Sequence, residues 1–253
     1  MNLNNIPAIV TGGASGLGAA TARALAAAGS KVALLDMNFA LAQTVAGEID
    51  GLAIECNVAD ADSASSAVEM VKEKYGNVRI LVNCAGIGTS ARIVGRSGPM
   101  PLADFSKVIN VNLIGSFNMM RLVASQMIAT DPLQDAERGV IISTASVAAY
   151  EGQIGQAAYA ASKGGIISLT LPAAREFAQF GIRVNTIAPG LFLTPLMDEL
   201  SEEVKQGLGV AIPFPKRLGA AEDYAKLVLH IIDNTYINGE VVRLDGALRM
   251  QAK

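Results

Sequence analysis

The sequence predicts one α/β domain, a parallel sheet with helices on both faces, and three observations predict it. At 253 residues the chain is long for an average domain but normal for one open α/β sheet, with material for a sizeable core. Hydrophobic residues make up 51% and charged residues 17%, which excludes a disordered chain. Short apolar runs alternate with longer Ala-, Leu-, Glu- and Lys-rich segments along the whole length, the pattern of successive βαβ units.

The apolar runs 6–11, 31–36, 52–56, 79–83, 140–143, 183–188 and 240–244 predict strands. The segments 16–28, 39–49, 63–75, 102–129, 156–180 and 221–233 predict helices. Pro7 opens the first strand, where a missing N–H is tolerated. Gly29 and Gly181 fall where helices end. The polar segment 130–139 reads as a surface loop. Segment 191–215, with three prolines and several acids, reads as a lid or substrate loop. Gly207 and Gly209 allow it to move, and Leu191, Phe192, Leu196 and Met197 are its apolar members. The apolar Ala-Leu-Arg-Met after the last strand packs either in the core or on a sister subunit. Residues 1–253 form a single domain without repeats or linkers.

Twenty basic against 23 acidic residues give a net charge of −3, which argues against a nucleic-acid-binding domain. No apolar run reaches 18 residues, so no membrane span is expected. The N-terminus lacks the basic and apolar regions of a signal peptide. Two cysteines, Cys56 and Cys84, exclude a disulfide framework and point to a reducing compartment, the cytoplasm.

The first strand runs into Thr11-Gly12-Gly13-Ala14-Ser15-Gly16-Leu17-Gly18 and then a helix. Gly12 allows a tight turn, Gly16 the approach of a phosphate, and Gly18 close packing of helix on sheet. The helix N-terminus offers free N–H groups to a pyrophosphate. Asp36 ends the next strand, 18 residues past Gly18, where a carboxylate accepts bonds from an adenosine ribose and repels a 2′-phosphate. Ser15 and Met37 offer such a phosphate no cation, so NAD is expected over NADP. The alternative role for Asp36 is an N-cap of the following helix.

Tyr159 and Lys163 share a helix face at i and i+4. Taken alone they fit a solvated surface pair equally well. Ser146, 13 residues earlier, follows a strand at the end where open α/β sheets bind ligands. Asn112 lies in the long helix after another strand-end turn, Asn83-Cys84-Ala85-Gly86.

Thr11 to Gly18, Asn83 to Gly86, Asn112, Ser146, Tyr159, Lys163 and Pro189-Gly190 together resemble the short-chain dehydrogenase/reductase family in its NAD-linked form, over the whole chain. The resemblance implies a Rossmann-type, doubly wound, seven-stranded parallel sheet of order 3-2-1-4-5-6-7. The stretches TASVAAYEGQIGQAAYAASKGGI, IAPGLFLTPL, PFPKRLG and NGEVVRLDGALRM, and the polar loop 130–139, are similar to a subgroup, the type 2 3-hydroxyacyl-CoA dehydrogenases. That subgroup acts on short branched 3-hydroxyacyl-CoA thioesters and some hydroxysteroids. By resemblance, NAD is held by Gly12, Ser15, Gly16, Leu17, Gly18, Asp36, Asn57, Val58, Asn83, Cys84, Ala85, Gly86, Tyr159, Lys163, Pro189, Gly190, Phe192 and Thr194. Asn57 stands where the family usually has Asp, and its side-chain oxygen can still accept a bond.

The family implies Tyr159 as base, Ser146 as the group holding the substrate oxygen, Lys163 as the cation favouring phenolate and binding the ribose, and Asn112 holding a relay water. No metal is needed. Lys205, Lys216, Arg217, Arg92 and Arg96 are candidate cations for the phosphates of an acyl-CoA, or plain surface charges. The lone histidine, His230, is distant in sequence from these motifs. The resemblance also implies a homotetramer with helices 102–129 and 156–180 at one interface. The leading expectation is therefore oxidation of 3-hydroxyacyl-CoA with NAD. Behind it stand a secondary-alcohol or hydroxysteroid dehydrogenase, an NADPH-linked ketoreductase that Asp36 opposes, and a nucleotide-binding protein without chemistry.

Overall fold

The computed structural model describes residues 1–194, 197 and 201–252. Seven strands form one parallel sheet: β1 (Pro7–Thr11), β2 (Lys31–Asp36), β3 (Leu52–Glu55), β4 (Ile80–Asn83), β5 (Gly139–Thr144), β6 (Ile182–Pro189) and β7 (Val241–Leu244). Their spatial order is β3-β2-β1-β4-β5-β6-β7, as the resemblance implied. The chain reverses direction of winding between β1 and β4, which opens a crevice at the carboxyl ends of those strands.

Central strands buried on both faces should be apolar throughout, and Ala8, Ile9 and Val10 of β1 and Ile80, Leu81 and Val82 of β4 are fully buried. Alternate residues feed two cores. Ile9, Leu81, Ile141 and Val184 pack with helices α3 (Ala61–Tyr75), α5 (Gly115–Ile128) and α6 (Ala157–Ala178). Ala8, Val10, Ile80 and Ile142 pack with α1 (Gly16–Ala27), α2 (Phe39–Glu48) and α8 (Ala221–Asp233). Gly29, at φ +98°, closes α1 in a Schellman motif: its N–H reaches Ala26 O at 2.9 Å and the Ser30 N–H reaches Leu25 O at 3.0 Å.

Three features differ from the sequence reading. The helix expected over 102–129 is divided into α4 (Leu102–Ile109), a π-helical turn (Asn110–Ile114) and α5. Asn112 causes this, because its buried amide is pulled out of helical phase to pair with the backbone of Ile87. A two-residue hairpin, Val94–Gly95 with Gly98–Pro99, stands before α4. The expected irregular loop 191–215 contains a helix, α7 (Glu202–Val210), whose N-cap Ser201 accepts a bond from the Val204 N–H.

The C-terminal Leu248 and Met250 pack with Ile212 and Leu218 within the chain. Among the described residues no helix is long and apolar enough to cross a membrane.

Candidate active site

The crevice at the switch point is a cleft of about 880 Å³. Its floor is the turn between β1 and α1. Gly12 and Gly16 adopt φ of +63° and +52°, conformations that L side chains resist. A Cβ on Gly12 would stand 2.7 Å from the Ala85 nitrogen, and one on Gly18 2.1 Å from the Gly12 oxygen. The glycines thus bring α1, β1 and the turn after β4 into backbone contact. Ser15 is the N-cap residue, yet its hydroxyl makes no cap bond, and the first helical donor is Ala19. The amides ahead of Ala19 are left facing the cleft, where an anion fits.

At one end of the cleft lies Asp36. Its carboxylate oxygens accept the Ala14 N–H at 3.0 Å and the Asn38 N–H at 2.9 Å. The alternative role as a helix cap falls to Asn38, which accepts the Leu41 N–H at 3.2 Å. Asp36 is therefore free to bond diols with its remaining lone pairs. Asn57 and Val58 line the same end. The Asn57 oxygen already accepts the Ala59 N–H at 3.1 Å, so it has one lone pair left.

At the other end α6 presents Tyr159 and Lys163. The Lys163 ammonium is buried, lies 5.6 Å from the centre of the Tyr159 ring, and donates to the Thr144 carbonyl at 2.7 Å. Burial pushes its pKa down to about 8. Burial pushes the Tyr159 phenol up, against the pull of its bond with the Ser146 hydroxyl. The lowering of Tyr159 expected from Lys163 is thus not seen: burial dominates, and the Ser146 bond is what opposes it. Ser146 begins a short 3₁₀ turn and accepts the Ala148 N–H at 3.1 Å, which fixes its hydroxyl beside Tyr159.

Asn112 is fully buried. Its oxygen accepts the Ile87 N–H at 2.8 Å, and its amide donates to Ile87 O and Ser162 Oγ, each at 3.0 Å. Its donors are spent on holding the turn after β4 against α6. Gly86 fits between Asn112 and Lys163, where a Cβ would meet the first at 3.3 Å and the second at 3.5 Å.

Gly12, Ser15, Gly16, Leu17, Gly18, Asp36, Asn57, Val58, Cys84, Ala85, Gly86, Tyr159, Lys163 and Thr194 all line the cleft. Four expected cofactor residues do not. The Asn83 side chain turns inward to Ser116 O and Ser143 Oγ. Pro189 is inside β6, and Gly190 packs on Asp245. The Phe192 ring is buried against Gly219. Leu191 and Met197 likewise pack inward on Ile212, Leu218 and Leu248, because the C-terminal segment offers an apolar surface, while Leu196 lies outside the described residues. Of the candidate cations, Arg217 is engaged by Asp223 at 2.7 Å, and Arg92 borders a separate recess of about 400 Å³. His230 is on the exposed face of α8.

Sequence reasoning missed Thr144, Ile87 and one wall of the cleft, formed by Ala103, Ser106, Lys107, Asn110 and Val111. The helical spacing of that wall, three and four residues apart and ending beside Asn112, was the available signal.

A model of the short chain dehydrogenase family matches residues 7–205. The chain is 51% identical to 3-hydroxyacyl-CoA dehydrogenase type-2 of Bos taurus, over 99% of this chain and 97% of the relative. It is 49% identical to the protein of the same name from Homo sapiens, with the same coverage. The crystal structure of 3-hydroxyacyl-CoA dehydrogenase type-2 from Mycobacterium avium superposes with a TM-score of 0.94 at 44% identity, covering 98% of both chains. A family match over most of the chain, relatives near half identity across its length and a glycine-built cleft ending in Tyr159 and Lys163 agree: this chain belongs to the short-chain dehydrogenase family.

Proposed function

We propose that this chain is an NAD-dependent oxidoreductase that interconverts short or branched 3-hydroxyacyl-CoA and 3-oxoacyl-CoA thioesters. Tyr159 and Lys163 at one end of a dinucleotide-sized cleft, with the Ser146 hydroxyl bonded to Tyr159, are the observation that carries the chemistry. The names of the near-half-identical relatives support the substrate class. Asp36, with no cation at Ser15 or Met37, supports NAD over NADP.

The amides at the start of α1 would hold the pyrophosphate and Asp36 the adenosine ribose. When bound, the nicotinamide supplies a hydride acceptor and a positive charge. Tyr159 takes the hydroxyl proton of the substrate as phenolate. Ser146 donates to the same substrate oxygen and stabilises its developing charge. The Lys163 ammonium favours the phenolate electrostatically and holds the nicotinamide ribose. A water on the one spare lone pair of the Asn112 oxygen would link Lys163 to solvent.

The Lys107 ammonium, exposed on the α4 wall, is a better-placed cation for a phosphate-bearing ligand than the engaged Arg217. The reading includes a homotetramer, supported by the half-exposed Ile114, Phe117 and Leu171 on the π turn, α5 and α6. It also includes the cytoplasm, supported by two unpaired thiols. The test is kcat/KM with NAD across 3-hydroxybutyryl-CoA, 2-methyl-3-hydroxybutyryl-CoA, a hydroxysteroid and a simple secondary alcohol. The acyl-CoA thioesters should lead, with KM of roughly 1–100 μM. A steroid or alcohol ahead of every thioester would replace this reading with a hydroxysteroid or alcohol dehydrogenase.

A further inference from the structure

Beneath Lys163 lies a buried polar cluster that none of the expected roles uses. Tyr224 of α8 is fully buried, and its phenol oxygen stands 2.7 Å from Thr144 Oγ1. Thr144 Oγ1 is also 2.6 Å from the Asn83 carbonyl, and Cys84 Sγ is 3.9 Å from the Tyr224 oxygen. Thr144 has one hydroxyl proton, and a carbonyl can only accept. That proton therefore goes to Asn83, and the Tyr224 O–H must donate to Thr144. The Cys84 thiol then has two weak acceptors, Thr144 Oγ1 at 3.6 Å and the Tyr224 oxygen at 3.9 Å. Tyr224 gives its proton to Thr144 and Thr144 gives its own to Asn83, with Cys84 at the side of the pair. Burial pushes Tyr224 well above the ordinary phenol range and pushes Cys84 up, so both keep their protons.

The chain of bonds ties β4 to β5 at the residue whose carbonyl accepts Lys163 at 2.7 Å. Tyr224 approaches from one face of the sheet and Lys163 from the other. We propose that Tyr224 is a positioning residue: by fixing the Thr144 peptide through its hydroxyl, it holds the carbonyl that keeps the Lys163 ammonium in place for the reaction. This deepens the reading given above and rests on it. The titratable groups facing Lys163 are Tyr159 from its own helix, Cys84 from the end of β4 and, through Thr144, Tyr224 from α8.

The test is Tyr224→Phe, which removes one oxygen. An ammonium with a loosened acceptor loses its proton at lower pH, so the alkaline limb of the kcat profile should move down. A displaced Lys163 ammonium also favours the Tyr159 phenolate less, so the acid limb should move up. We expect the limbs to close by about 0.5 unit each and kcat at the optimum to fall about tenfold. Thr144→Val should reproduce the shift and Thr144→Ser should keep the wild-type limbs. The double variant Tyr224→Phe/Thr144→Val should lose no more than the worse single one.

The pH dependence of NADH affinity, followed by NADH fluorescence, reads the same Lys163 break without any substrate. If the wild-type protein oxidises none of the substrate panel, the proposed activity is wrong, and the NADH break still decides the role of Tyr224. Unshifted limbs and an unshifted NADH break in Tyr224→Phe, whatever the melting temperature does, would overturn the proposal. Should Tyr224→Phe fail to fold, the contrast between Thr144→Val and Thr144→Ser decides in the same way.

Discussion

Tyr159 and Lys163 sit one helical turn apart, and burial drives each toward its neutral form. The phenol is pushed up and the ammonium down to about 8. The active pair is phenolate with ammonium, so each must be returned to its charged form. Oxidation should quicken as pH rises toward the phenol's pKa in the loaded protein and fall once Lys163 loses its proton. Tyr159→Phe should lower kcat by about 10²–10⁴-fold with NADH affinity changed less than about threefold. A variant that keeps a tenth of the rate would remove Tyr159 as the base. Asp36 gives the second expectation at this scale. An unpaired carboxylate facing a 2′-phosphate should favour NAD over NADP by about 10²-fold in kcat/KM, roughly 2.7 kcal/mol. Asp36→Ala should narrow the gap mainly by weakening NAD. It should also lower the melting temperature, since Ala14 and Asn38 lose their acceptor. Equal efficiency of the wild-type protein with both cofactors would defeat the assignment.

Elements whose ends carry the chemistry were legible because their signals are local. The glycine turn, Asp36, Ser146 and the Tyr159–Lys163 pair each stand within a few residues of a strand end or along one helix face. The π turn was not legible: no Pro breaks 102–129, and the distortion comes from a bond to Ile87, 25 residues away. Thr144 and Tyr224 escaped for the same reason, since 80 residues separate them. The fate of Leu191 and Met197 depended on the C-terminal segment they pack toward, and that of Phe192 on Gly219, which no local pattern announces. The π turn also yields a test. Deleting Val111 would return the segment to α-helical phase and rotate α4 by about 100° relative to α5. Either Asn112 leaves Ile87, or the wall carrying Ser106 and Lys107 turns from the cleft. Near-wild-type far-UV circular dichroism with NADH affinity and kcat each reduced at least tenfold is the expected result; unchanged affinity would show that this wall does not contact the cofactor.

Across the whole molecule the site is built on the seam where β4 pairs with β5, in register from Ile80 opposite Val140 to Asn83 opposite Ser143. Everything before the seam shapes the dinucleotide cleft, namely the glycine turn, Asp36, Asn57 and the turn after β4. Everything after it supplies Ser146, Tyr159 and Lys163. The order of strands was legible only through the family likeness, because periodicity marks a strand without naming its neighbour.

The seam divides the enzyme into two tools that a single cut would separate. The loop before β5 is exposed at Gln134 and Asp135, and breaking the chain there interrupts only the 3₁₀ turn Gln134–Ala136 and leaves every α-helix and sheet strand intact. Each fragment would then display one raw sheet edge made for the other, and their reunion would also restore the packing of α8 on α1 and the buried pairing of the Met1 amino group with Glu137 at 3.8 Å. Produced together, the fragments 1–134 and 135–253 should assemble and turn over; produced alone, neither should, although the first holds most of the nucleotide cradle. Dehydrogenase activity would then report that two pieces of polypeptide have met, which makes this seam a natural place for a split reporter. Activity in either fragment by itself would show that the two tools are not separable along this line.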